Sequence, residues 1–235
     1  GVTGFSENIA LKQIVSGSVN ALARIDWNIN KNNKLMVRYQ YMNSNADRYK
    51  ANQSMYYFAN SGHKLSTVNN IAVVELNSRI SDMVTNEFRA SAVIVRDHRD
   101  VAYNGASVRI RGFSGMSDVY IGTEKSSGAN AVNTDTYNIS DNVSIFAGNH
   151  QITVGTHNDI YIFNNLFLQN AFGGYEFKSL ADFYANKISK FQYAYADPTV
   201  KGVTDSRWSA KTYAARFGLY LQDEWTPNRN FMLTY

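Results

Sequence analysis

Alternation with a period of two runs through most of this chain. Val19, Ala21, Ala23, Ile25, Trp27 and Ile29 fall on one side of an extended segment, and Asn20, Arg24, Asp26 and Asn28 fall on the other, with Leu22 as the exception. This is the pattern of a half-buried strand. A short turn at Lys31-Asn32-Asn33 follows, and Leu35, Val37, Tyr39 and Tyr41 then alternate with Met36, Arg38, Gln40 and Met42. The two runs predict a hairpin with one apolar and one polar face. A third strand is predicted near Thr67–Ser78, with Asn70, Ala72, Val74 and Leu76 on one face. A fourth falls near Val84–Arg96, with Phe88, Ala90, Ala92 and Ile94 opposed to Glu87, Arg89 and Ser91. A fifth covers Thr134–Ala147, where Ile139, Val143 and Ile145 share a face with the discordant Asp141. The sixth, His150–Phe163, carries Ile152, Val154, Ile160 and Ile162, and the seventh carries Tyr213, Ala215, Phe217, Leu219 and Leu221. After Asp223-Glu224-Trp225, the residues Thr226-Pro227-Asn228-Arg229-Asn230 predict a turn, since proline fixes φ and asparagine tolerates left-handed geometry. An eighth alternating run then starts at Phe231. It reaches Tyr235 at the last residue of the sequence, which suggests a piece of a larger assembly.

The connections sort into two kinds. Those near 31–33, 79–83, 148–149 and 226–230 are short, and those near 43–65, 97–133 and 164–209 are long. Residues 1–17 lack a period and read as a lead-in. A meander that alternates tight turns with long loops is the plan of an outer-membrane barrel. Strands of about 10–14 residues suit a tilted crossing, which needs about 9–11. The expected fold is therefore all-β: an antiparallel up-and-down meander of about eight strands, part of a larger transmembrane barrel, with its long loops at one end. Trp27 and Trp225 lie beside short turns, where an interfacial aromatic belt belongs. Arg24, Arg38, Arg89 and Arg216 on the polar faces suit a wet lumen. No segment of helical period is longer than Ser179–Ile188, which reads as a short loop helix. A soluble β-domain that binds glycan or protein through the long loops produces the same alternation and stands as the alternative. A complete eight-stranded barrel is disfavoured, because residues 230–235 are too few to cross.

Composition narrows this reading. Aromatics make up 14% of the 235 residues, with 16 Tyr against 2 Pro, a balance that favours strands. No apolar run is long enough for a transmembrane helix. The net charge of +4 is spread out, so no nucleic-acid partner is expected. With no cysteine, neither disulfides nor thiolate chemistry is available.

The candidate chemistry is thin. His150 and His157 sit on opposite faces of one strand and cannot chelate one metal together. Asp97-His98-Arg99-Asp100 reads as a solvated cluster at a strand end. Gly112-Phe113-Ser114-Gly115 lacks the spacing of a nucleophile elbow. Asp223 and Glu224 are strand neighbours that point apart, whereas an acid/base pair must converge. No P-loop, zinc or dinucleotide motif occurs, so no enzyme and no cofactor are expected. Tyr56-Tyr57-Phe58, Arg109 and Arg111 in the long loops are candidates for ligand contact or for loop packing.

Four stretches add a resemblance. Gly218–Tyr235 resembles the segment of TonB-dependent outer-membrane receptors that reads Tyr-x-Gln-Asp-Glu-Trp before a turn and strand, matched at Tyr220, Gln222, Asp223, Glu224 and Trp225. Tyr137–Gly155 is similar to that family's Ser-Asp-Asn strand, Gly-x-His turn and following strand. Ala23–Tyr41 resembles the Oar-like subgroup, as does Gly174–Phe183 with Tyr175, Phe177, Leu180 and Asp182. The resemblance implies a barrel of about 22 strands around a plug domain, with energy supplied by TonB. It implies residence in the outer membrane, lipid around the wall, and nutrient uptake. The plug, the TonB contact and the remaining strands would lie outside this stretch. A surface lipoprotein is a further expected partner.

Overall fold

The computed structural model describes residues 14–50, 55–113 and 117–235. Most of the expected lead-in, residues 1–13, falls outside that range, as do Ser114 and Gly115; Ser16 and Gly17 already belong to the first strand. In chain order the elements are β1 (Ser16–Asn30), β2 (Asn33–Arg48), β3 (Met55–Tyr57), β4 (His63–Arg79) and β5 (Val84–Val101). Then come β6 (Ser107–Phe113), β7 (Ser117–Ile121), β8 (Asn130–Ala147), β9 (His150–Phe167) and β10 (Gly174–Phe177). The helix α1 (Leu180–Tyr184), β11 (Lys190–Gln192), β12 (Ala210–Asn228) and β13 (Phe231–Thr234) complete the chain.

Eight long strands form one antiparallel sheet in the order β1-β2-β4-β5-β8-β9-β12-β13. The expected meander is the observed one, and the sheet is not closed among the described residues. Its register aligns the apolar positions across strands: Ile25 pairs Val37, Val37 pairs Val74, Val74 pairs Ala90, and Ala90 pairs Ile139. A slip of one residue would turn each set over. The resulting apolar face is bare, with Leu219 89% and Phe217 75% exposed. The polar face is the sheltered one, where Met36, Val73 and Asp159 are buried. An apolar exterior over a polar interior reverses the arrangement of a soluble sandwich and is that of a wall facing lipid.

The strands run past the ends expected for them, and apart from the continuation of β12 to Asn228 the longer extensions lie at the long-loop end. There the outward positions turn polar: Asn43 on β2, Ser66 on β4, His98 on β5, Asn133 on β8, Asn164 on β9 and Lys211 on β12. On β5 the apolar band runs from Val84 to Ile94. About eleven residues at ~3.3 Å rise and ~45° tilt climb ~25 Å, the height of an outer-membrane lipid band. The extended ends therefore stand above the lipid. Asp141, discordant in the sequence, does face outward, but Asn86 Nδ2 donates to its Oδ1 at 2.6 Å.

The expected turn at Thr226–Asn230 is corrected. β12 continues through Asn228, with a register shift between Trp225 and Asn228. Pro227 is tolerated because pairing with β9 has ended at Trp225 and no partner requires its missing N–H. The helical stretch shrinks to α1, which Ser179 caps by accepting from the Asp182 N–H at 3.0 Å.

The larger correction concerns the long connections, which are not loops. All three contribute strands to a second sheet of five, in the order β11-β10-β6-β7-β3. This sheet has its own core of Val108, Ile110, Val119 and Phe177, flanked by Phe58, Leu180 and Phe183. It forms a cap at the extended end of the wall.

Candidate ligand-binding cap

The cap sheet separates apolar from polar by strand parity. Val108 and Ile110 on β6, Val119 and Ile121 on β7, and Phe177 on β10 share one face. Arg109 pairs across to Tyr120 and lies beside Glu176, so the other face is charged and phenolic. The first face carries an apolar hollow of about 520 Å³, bordered by Tyr56, Phe58, Phe113 and Phe183. The second carries a polar cleft of about 290 Å³, bordered by Tyr57, Arg109, Arg111, Lys125, Glu176 and Lys190.

The loop residues singled out in the sequence divide between these faces. Tyr56 lines the apolar hollow, and its ring meets Phe58 edge-on at 5.5 Å. Tyr57 turns to the polar side and packs on Tyr120 at 5.3 Å. Arg109 donates to Asp118 Oδ2 at 2.5 and 2.9 Å and lies 3.3 Å from Glu176. Arg111 grips the Glu176 carboxylate at 2.7 and 3.0 Å. Both arginines are thus organised by carboxylates inside the cap. Burial opposes ionisation of Asp118, but the Gly112 N–H and Arg109 outweigh it and hold its carboxyl below the ordinary aspartate range. Gly112 adopts a φ of 56°, a left-handed geometry that places this N–H toward Asp118.

Glu124 ties the cap to the wall. Its carboxylate is 3% exposed. It receives Lys50 Nζ at 2.8 Å, Ser127 Oγ at 2.9 Å and the Ser126 N–H at 3.1 Å. Ser127 Oγ in turn accepts from Arg99 on β5 at 3.2 Å and lies 3.3 Å from His63 Nδ1 on β4. Burial alone would raise the Glu124 pKa, but Lys50, Ser127 and Ser126 together bring it below the ordinary glutamate range. The folded carboxyl is the stronger acid, so its contribution is present above that range and is lost as pH falls through the lowered value. Protection of the cap amides, taken relative to their intrinsic exchange at each pH, should therefore fall in acid, below about pH 4, and Glu124→Gln should flatten that acid limb. Glu124→Ala should destabilise the cap by about 1–3 kcal/mol through the donors it orphans. Lys50→Ala, which leaves that buried carboxylate without its charged donor, should cost a similar amount.

On the wall, the remaining candidates are kept apart. His150 faces outward, hydrogen-bonded to Asp223 at 2.7 Å and stacked on Trp225. His157 faces inward, 3.4 Å from Asp159. Asp159 also receives Arg216 at 2.5 and 3.0 Å and Asn138 at 2.9 Å. Asp223 accepts from Tyr235 on the outer side, and by strand alternation Glu224 points inward. Asp97-His98-Arg99-Asp100 lies at the end of β5, as expected, just before its last residue Val101. Thr67 donates to Asp97, Arg99 reaches Ser127, and Asp100 accepts from Ser66 on the opposite face. Among the described residues, no three His, Asp or Glu side chains gather to hold a metal.

Sequence reasoning missed Lys50, Asp118, Glu124, Lys125, Glu176 and Lys190. The alternation Val108-Arg109-Ile110-Arg111, followed by Val119 and Ile121, was a legible signal for β6 and β7. Glu124 had none, since its partner Lys50 is 74 residues away.

An open antiparallel wall with an outward apolar band, tight turns below and a folded cap above defines the side of an outer-membrane β-barrel. Residues 4–235 match the outer membrane beta barrel domain family, and the chain belongs to that family. It is an outer-membrane protein. Among solved structures, the outer membrane transporter YddB from Escherichia coli superposes with a TM-score of 0.66 at 12% identity, over 95% of this chain and 27% of that one. The ferric-catecholate import receptor Fiu from E. coli K12, in its open form, gives a TM-score of 0.45 at 12% identity, over 92% of this chain and 34% of that one. The chain thus spans about a third or less of the length of these neighbours. No curated protein matches it.

Proposed function

We propose that this chain is a wall segment and part of the mouth of a TonB-dependent nutrient importer, of the Oar-like subgroup by its motifs. The observation that carries the reading is the two-ended construction: a lipid-facing wall with tight turns at one end and a ligand-sized cleft in a folded cap at the other. The wall's open edges, β1 and β13, would pair with strands elsewhere in the full protein, since bare backbone in lipid costs several kcal/mol per group. The plug would rest on the sheltered polar face. Near the tight turns that face holds a hollow of about 630 Å³ bordered by Lys31, Lys34, Arg79 and Glu87. The cap would capture ligand, and TonB acting on the plug would release it inward; a surface lipoprotein would share the capture. Catalysis has no part in this reading: the His150–Asp223 and His157–Asp159 pairs lie on opposite faces of the wall and do not converge on one substrate.

Photo-crosslinking from the plug of the full protein in energised cells is the test. A TonB adduct that disappears when the proton gradient is collapsed is the expected result. A correctly inserted protein that forms no TonB adduct would overturn the importer reading. The cap would then be the binding surface of a non-transporting outer-membrane protein for glycan or protein.

A further inference from the structure

We propose that the polar cleft of the cap binds a small organic acid, an oxyanion carried on a framework of monosaccharide size. The proposal rests on the cap being a capture surface.

The charges of the cleft do not cancel. Arg109 and Arg111 are balanced by Asp118 and Glu176, and Lys50 is balanced by Glu124. Lys125 and Lys190 also border the cleft, and among the described residues neither makes an ion pair. Both are exposed, and they come from different connections of the chain. The excess is two ammonium groups above a floor of guanidinium groups already aligned on carboxylates.

The carboxylate side of the cleft is already taken. Glu124 accepts three hydrogen bonds, and Glu176 holds two arginines. What remains for a ligand is donor-rich: the two ammonium groups, the Tyr57 hydroxyl, and the side-chain amides of Asn170 and Gln192. A neutral ligand would leave the ammonium charges unmatched, and a cationic one would be repelled. An oxyanion receives charge-assisted hydrogen bonds from both lysines. The cleft volume of about 290 Å³ limits the ligand's size, lying at the small end of ligand pockets.

The test is calorimetric titration of the full outer-membrane protein in detergent with glucuronate, glucose 6-sulfate and glucose 6-phosphate, with glucose as the neutral control. At least one acid should bind at millimolar concentration or below, glucose should not, and affinity should fall with added salt. The double variant Lys125→Gln/Lys190→Gln should weaken binding at least roughly tenfold, the loss of a charged hydrogen bond. Its side chains are exposed and unpaired, so circular dichroism should match the parent. Failure of all three acids to bind, equal binding of glucose, or indifference to the double variant would each overturn the proposal. The preferred acid identifies the source of the oxyanion as carboxylate, sulfate or phosphate. Binding is at equilibrium and needs no TonB. A protein that binds the acid without a TonB adduct would therefore refute the importer alone, and one with the adduct but no acid binding would refute this inference alone.

Discussion

Phe177→Ala will unfold the cap while leaving the wall intact. Phe177 is 4% exposed and lies in the parallel pairing of β10 with β6, opposite Ile110. Its ring meets Phe183 of α1 edge-on at 5.2 Å. It is thus the point where strands from the second and third connections and the helix share one core. Removing a buried phenylalanine costs about 3–5 kcal/mol, because transfer energy is lost and the cavity does not collapse. Among the described residues the cap core holds four buried apolar side chains, so it has little reserve against that loss. Hydrogen exchange resolved along the sequence is the measurement, since regions of one protein open separately. Amides of β6, β7 and β10 should lose protection, and those of β4, β5, β8 and β9 should keep theirs. Uniform loss across both sheets would mean that cap and wall fold as one unit.

Leu219→Arg will destabilise the inserted barrel by about 2–4 kcal/mol. Leu219 lies midway along β12 and is among the most exposed apolar residues of the outer face. In lipid that exposure is favourable, and a guanidinium placed there must be desolvated or must drag water inward. Val37→Arg should act in the same direction. Arg38→Ala, one residue along on the polar face, should be mild, because the Arg38 Nε is buried with no hydrogen-bond partner among the described residues. Urea unfolding from bilayers reports both changes. Equal effects at Leu219 and Arg38 would remove the assignment of lipid to the apolar face.

These two substitutions test parts of the fold that differed in how readable they were. The wall was legible because its physics is local. On a strand, successive side chains take opposite sides, so a lipid-facing strand must alternate wherever the band runs. Val37, Val74, Ala90 and Ile139 could be assigned to one face before their pairing was known, and the register then joined them. Even Asp141 was placed correctly, and its hydrogen bond with Asn86 explains how it is tolerated there.

The strand ends were less legible. Above the lipid both faces become polar, alternation fades, and only backbone pairing carries β4 back to His63 and β5 on to Val101. Pro227 misled for a related reason: its effect depends on whether a neighbour needs its N–H, and none does.

By itself, the sequence determined the strands of the wall, the two faces of each and the two kinds of connection, because each follows from period and length along one segment; its place in the outer membrane rested as well on the resemblance carried by Gly218–Tyr235 and Tyr137–Gly155. Only the tertiary structure decided the cap, where strands of three to seven residues from three distant connections make one sheet. Strands so short gain too little from their own pattern to be distinguished from loops. The pairings Lys50–Glu124 and Arg111–Glu176 join residues 74 and 65 positions apart. Such contacts come from where the chain returns in space, and no local periodicity encodes them.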